Sequence, residues 1–143
     1  MNNSELKLLE VNLKGENKGR NGYGETADPE TWVWTESDLI MVDLIKEFHK
    51  NGIRVIFDGV FNHSSDRHWT FNMVLAEGEN SQYKDWYKFN DFSQYVPITD
   101  DMNDEQAYET MIGNKSRIRY NAWAGFHSLP EFNTFNQEYK DYI

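Results

Sequence analysis

Three polar side chains, Asp58, Asn62 and His63, follow an apolar run in the order Asp58-Gly59-Val60-Phe61-Asn62-His63. If that run is a buried parallel strand, these groups emerge at its carboxyl end, the edge at which α/β barrels carry their chemistry. Asp58 is suited to orienting a cationic neighbour. His63 has two ring nitrogens able to donate or accept, and the Asn62 amide oxygen suits a hard cation such as Ca²⁺. A plainer reading makes Asp58 the end of the strand and the cap of a turn, and His63 a loop histidine satisfied by backbone. The spacing His63-x-x-Asp66-x-His68 matches no familiar zinc pattern, and Asp66 already has a use as a helix cap.

The elements that would position these groups read off the flanking sequence. Thr35-Glu36-Ser37-Asp38 is an N-cap with an acidic third residue, and Met41, Leu44, Ile45 and Phe48 then share one helical face. His49 and Lys50 suit the last turn, and Asn51-Gly52 supplies the stop. Residues 53–57, Ile-Arg-Val-Ile-Phe, have the composition of a strand buried on both faces of a parallel sheet. Helix, tight turn and strand make half of an α/β unit. Upstream, residues 1–34 are glycine-bearing and polar, which favours loop, with a short strand or turn within 5–13. Downstream, Asp66 is expected to cap a helix through about Glu77, with Gly78 as its stop, and Tyr83, Trp86 and Tyr87 sit in a short helical turn. The periodicity fades between Asn90 and Arg119, apart from a helical stretch around Asp104 to Met111. A last helix opens near Asn136.

These motifs resemble glycoside hydrolase family 13, the α-amylase family. The segment from Gly52 to His63 is similar to its first conserved region, an Asp, three residues, then Asn-His. The stretch from Asp28 to His49 resembles the loop and helix before strand three in the neopullulanase and maltogenic-amylase branch. Residues 81–87 resemble the start of the domain inserted after that strand. Leu129-Pro130-Glu131-Phe132-Asn133, after Trp123-Ala124-Gly125-Phe126, is similar to the conserved region near that domain's end. The resemblance covers roughly residues 25–90 and 120–143 and leaves the middle unmatched.

The resemblance implies an α/β fold: a partial (β/α)8 TIM barrel, one αβ unit with strand three, plus an inserted loop-rich domain B. Residues 1–63 would be the barrel part and residues 64–143 domain B, truncated near its return to the barrel. It implies that Asp58 supports the active site by pairing with the arginine before the nucleophile on strand four. It also implies that His63 meets a hydroxyl of the sugar next to the scissile bond. Glu131, Asn133 and Trp123 become further substrate-binding candidates lining the cleft, although Glu131 also reads as a solvated residue beside a Leu-Pro turn. Asn62 becomes a candidate calcium ligand, since many members bind calcium there while several of the neopullulanase branch lack the site.

Retaining hydrolysis needs a carboxylate nucleophile and a carboxylic acid about 5–5.5 Å apart. The resemblance places these after strands four and five, with a further aspartate after strand seven, and none of those motifs occurs before Ile143. A barrel of this kind needs roughly 250 residues, against 143 here, so the remainder of the barrel is expected outside this sequence. The expectation is therefore part of an α-glucan hydrolase, inactive by itself and with apolar faces left uncovered. A rival from another class is a non-catalytic carbohydrate-binding protein in which the 15% of aromatic residues form a stacking platform.

Composition narrows the partners further. The formal charge of -10 comes from scattered carboxylates with no Lys/Arg block, which argues against nucleic acid and anionic membrane as partners. No apolar run approaches a membrane span and the start lacks the pattern of a secretory signal. The absence of cysteine fits both the cytosol and disulfide-free secreted enzymes, so the compartment stays open.

Overall fold

A computed structural model describes residue 34 and residues 36–143. The expected loop over residues 1–34, the strand or turn at 5–13 and the Thr35 cap fall, but for Trp34, outside the described residues. Helix α1, Glu36–Lys50, ends as expected: Gly52 takes φ 73°, and its N–H donates to the His49 carbonyl at 3.0 Å. None of its residues is buried, and Leu39, Ile40, Met41, Leu44 and Phe48 all face solvent.

Residues 53–57, expected as a doubly buried strand, form no strand pairing among the described residues, and Ile56 is 93% exposed. The difference has a simple cause. A parallel strand draws its hydrogen bonds and its burial from neighbouring strands and covering helices, and no described element supplies either. Exposed Ile53, Phe57, Val60 and Phe61 extend the same uncovered apolar surface.

The core lies further on and is built around α2, Trp69–Glu77, in which every residue from Trp69 to Ala76 is buried. His68 caps this helix, its side chain accepting from the Thr70 N–H, so the expected Asp66 cap is corrected. Asp66 instead pairs with Lys115. Gly78 ends α2 with φ 62° as expected, and the Tyr95 ring lies 2.8 Å from where a Cβ would stand. Two 3₁₀ turns follow, Gly78–Asn80 and Lys84–Trp86, the second being the turn expected around Trp86.

Strand β1, Phe89–Asp91, pairs antiparallel with β2, Arg119–Tyr120. Between them α3, Asp104–Arg117, opens on a capping box in which Asn103 accepts from the Gln106 N–H at 2.9 Å and Gln106 returns the bond at 3.0 Å. The helix runs six residues past the expected Met111. Its buried face continues through Ala107, Met111 and Asn114, and the amide at the last position hides the apolar period. Asn114 is fully buried, donates to the Leu75 and Val96 carbonyls and accepts from the Val96 N–H, and so fastens α3 to α2 and to the intervening loop. Helix α4, Gln137–Tyr142, is capped by Asn136 and places Tyr139 in the core, where its hydroxyl donates to the Phe61 carbonyl at 2.7 Å.

Most of the aromatic surplus is spent inside. Trp69, Phe71, Tyr83, Trp86, Tyr87, Tyr120, Phe132 and Tyr139 pack edge-to-face or stacked in one cluster, as in Phe132 on Tyr139 with centroids 4.2 Å apart. Among rings past residue 120, Trp123, Phe126 and Phe135 remain exposed.

Candidate functional site

Four short backbone segments converge beside the end of the uncovered run. His63 pairs antiparallel with Glu131, Tyr87 with Phe132, and Ala122 with Pro130. The registers bring Lys88, Asn121 and Glu131 together in a closed ring of backbone hydrogen bonds. The Lys88 N–H donates to the Glu131 carbonyl at 3.2 Å, Glu131 to Asn121 at 2.9 Å, and Asn121 to Lys88 at 2.9 Å.

Burial alternates along three of these segments, around residues 87–88, 120–121 and 130–133. Tyr87, Tyr120, Pro130 and Phe132 point into the core, whereas Lys88, Asn121 and Glu131 point away from it. Directly opposed residues of an antiparallel pair share a face, so His63 lies on the outer side with Glu131. Trp123, two residues beyond Asn121, completes the group by stacking on His63, with centroids 5.0 Å apart and planes at 17°.

The polar chemistry of this face is specific. The Lys88 ammonium holds a Glu131 carboxylate oxygen at 2.9 Å, so the pair carries no net charge. The Asn90 amide donates to the Asn121 side-chain oxygen at 2.8 Å. His63 Nδ1 is buried and has no hydrogen-bond partner among the described residues.

Beneath the face, Tyr87 links Thr70 and Ser64 through hydroxyl contacts of 2.7 and 3.1 Å. Burial holds the Tyr87 phenol well above its ordinary pKa, so it stays neutral and the network stays intact. His68 extends the network through Thr70 at 2.8 Å, and burial drives its pKa down to about 4.

The structure thus brings His63, Trp123 and Glu131 together. Asn133 lies nearby, but its amide donates to the Asp85 carbonyl at 3.1 Å and accepts from the Phe135 N–H at 3.3 Å, a turn-fastening arrangement. Asp58 is exposed and makes no hydrogen bond, ion pair or ring contact with this group among the described residues. Asn62 contributes its backbone carbonyl, which accepts from the Phe132 N–H at 3.0 Å, while its side chain is exposed. Among the described residues no cluster of three or more His, Asp or Glu side chains could hold a metal ion. The amide of Asn62 does not make a calcium site by itself, because a hard cation wants several further oxygens. Lys88 and Asn121 belong to no motif of the sequence, although Tyr87-Lys88-Phe89-Asn90 alternates aromatic and polar residues with the period of a strand.

The sequence pattern of the alpha amylase catalytic domain matches residues 35–143. The chain belongs to the α-amylase family. Its fold family is therefore the (β/α)8 barrel of these glycoside hydrolases. Neopullulanase 2 of Thermoactinomyces vulgaris is 34% identical over 101 residues, which are 70% of this chain and 14% of that protein. The maltogenic alpha-amylase of Bacillus acidopullulyticus is 33% identical over 100 residues, again 70% of this chain and 14% of the relative. Among solved structures, a debranching enzyme from Nostoc punctiforme superposes with a TM-score of 0.55 at 31% identity, covering 74% of this chain and 19% of that one. The α-amylase-family chain described here thus spans about a seventh of the length of these curated relatives.

Proposed function

We propose that this chain forms part of the sugar-binding wall of an α-amylase-family catalytic domain that acts on α-glucans by retaining hydrolysis. The observation that carries the reading is the stacking of His63 on the exposed Trp123 beside Glu131. A flat ring pair beside a mutually neutralised ion pair suits a neutral, hydroxyl-rich ligand.

In this reading residues 1–63 are barrel and residues 64–143 are inserted domain B. The uncovered surface of α1 and residues 53–61 supports it, because these apolar side chains are the ones that adjoining strands and helices of a barrel would cover. Asp58 then acts on a cationic partner from an adjoining strand. The nucleophile and the proton donor come from other parts of the barrel, so this chain binds α-glucan without cleaving it.

The test is calorimetric titration of the purified chain with maltohexaose, alongside a reducing-end assay on pullulan and maltodextrin. Binding is expected, weakened about tenfold by His63→Ala or Trp123→Ala, with no release of reducing ends. Absence of maltohexaose binding would overturn the site, and release of reducing ends would overturn the assignment of the reacting carboxylates to other parts of the barrel.

A further inference from the structure

We propose that Tyr87 is a positioning residue for His63: its buried hydroxyl, tied to α2, fixes through Ser64 the histidine that stacks on Trp123. The inference rests on the α-glucan reading and concerns the same site.

His63 and Glu131 oppose each other without exchanging backbone hydrogen bonds. The bonds that flank them belong to their neighbours: the Phe132 N–H donates to the Asn62 carbonyl at 3.0 Å, and the Ser64 N–H to the Pro130 carbonyl at 3.1 Å. A residue in such a pair is held by whatever holds the residues on either side of it. Of those two, Asn62 has an exposed side chain and Ser64 a buried one.

The Ser64 side chain is gripped from inside. Its hydroxyl donates to the Ser65 carbonyl at 2.9 Å and turns its lone pairs to the Tyr87 hydroxyl, which donates to it across 3.1 Å. The Tyr87 oxygen is held in turn by Thr70 Oγ1 at 2.7 Å, and Thr70 is fully buried in the first turn of α2. The Tyr87 ring is itself immobilised. It is 3% exposed, stacks on Phe132 with centroids 4.7 Å apart and meets Phe71 edge-on at 5.2 Å. Tyr87 thus carries the rigidity of α2 across the core to the residue next to His63.

The tie serves the site more than the fold. Without the phenolic oxygen, Ser64 still has the Ser65 carbonyl and Thr70 still has His68 Nδ1 at 2.8 Å, so neither hydroxyl is left unpaired. The restraint on residues 63 and 64 is what disappears. A histidine free to leave its stack must be ordered again when ligand binds, and that ordering weakens affinity.

The experiment combines the Kd for maltohexaose, by calorimetry, with the NMR shifts of the His63 ring protons, which lie in the ring current of the Trp123 indole. Tyr87→Phe in the full chain is expected to weaken binding about fivefold, the ordinary worth of one hydrogen bond, and to move the His63 shifts toward those of a free histidine. Ser64→Ala cuts the tie from the other end and is expected to do the same, so the test survives loss of fold in either variant. In a His63→Ala background Tyr87→Phe should cost nothing further, whereas a merely structural tyrosine would cost the same in both backgrounds. Unchanged His63 shifts in folded Tyr87→Phe or Ser64→Ala, or equal losses in the two backgrounds, overturn the positioning role and leave the α-glucan reading standing. If the wild type binds no maltohexaose the α-glucan reading falls, and the His63 shifts in the two variants still uphold or overturn the tie.

Discussion

The indole of Trp123 lies over the imidazole of His63 at 5.0 Å, and the residue that follows it adopts a backbone conformation that L-residues avoid. Ala124 sits at φ 50°, ψ 23°, inside the 3₁₀ turn Trp123–Gly125, and Gly125 follows at φ 78°. The turn is anchored at its start by the Trp123 N–H donating to the Leu129 carbonyl at 2.9 Å and at its end by Phe126 returning to Trp123 at 3.0 Å. Local strain of this kind persists only where surrounding structure imposes it.

Ala124→Gly is therefore expected to stabilise the chain by up to about 1 kcal/mol, since glycine adopts a left-handed conformation without the Cβ penalty. Urea unfolding followed by tryptophan fluorescence reads this directly. A lower midpoint in the variant would show that the alanine methyl contributes contacts that outweigh the strain.

Stability should also depend on pH through His68. Burial holds its folded pKa at about 4, below the 6.5 of the free ring, so the unfolded chain binds the extra proton first. The contribution is complete above about pH 6.5 and is lost as pH falls toward 4, a change on the order of 3 kcal/mol. His68→Asn retains a capping oxygen for the Thr70 N–H but cannot titrate in this range. Unfolding free energies measured across this interval should slope in the wild type and flatten in the variant; parallel slopes would refute the assignment to His68.

Lys115 and Asp66 join the end of α3 to the loop that precedes α2, and the Asp66 side chain is only 15% exposed. Lys115→Ala leaves that carboxylate poorly solvated and unpaired, at an expected cost of about 1–3 kcal/mol. A thermal melt unchanged within error would mean that water replaces the ammonium at no loss.

Core and uncovered surface should respond in opposite ways. Phe71 is fully buried against Tyr87, Phe89 and Tyr120, and Phe71→Ala is expected to cost about 3–5 kcal/mol. Ile56, at 93% exposure, should accept serine within about 0.5 kcal/mol and with less self-association. Light scattering and urea titration of both variants check the pair. A large loss of stability from Ile56→Ser would show that residues 53–57 are packed in solution after all.

By itself the sequence determined the features whose causes are local. The stop of α1 at Gly52, the end of α2 at Gly78 and the opening of α4 at Asn136 each follow from one residue's backbone freedom or capping oxygen. Family membership was legible too, because Asp58, Asn62 and His63 and the later Leu129-Pro130-Glu131 keep a fixed order along the chain.

Only the tertiary structure decided which of these side chains meet. Asp66 looked like a helix cap, but the approach of Lys115 from α3 and of the Ser128 carbonyl to its N–H gave it other partners, and His68 took the cap. The polar Asn114 concealed the last turns of α3, since its burial is tolerable only through acceptors and donors supplied by Leu75 and Val96. Residues 53–57 have the composition of a buried strand, yet composition supplies no hydrogen-bonding neighbour, and they remain unpaired among the described residues. Lys88, Asn121 and Glu131 are separated in sequence and meet through register alone, and pairing between distant segments is a cooperative property of the folded chain that no single stretch of residues encodes.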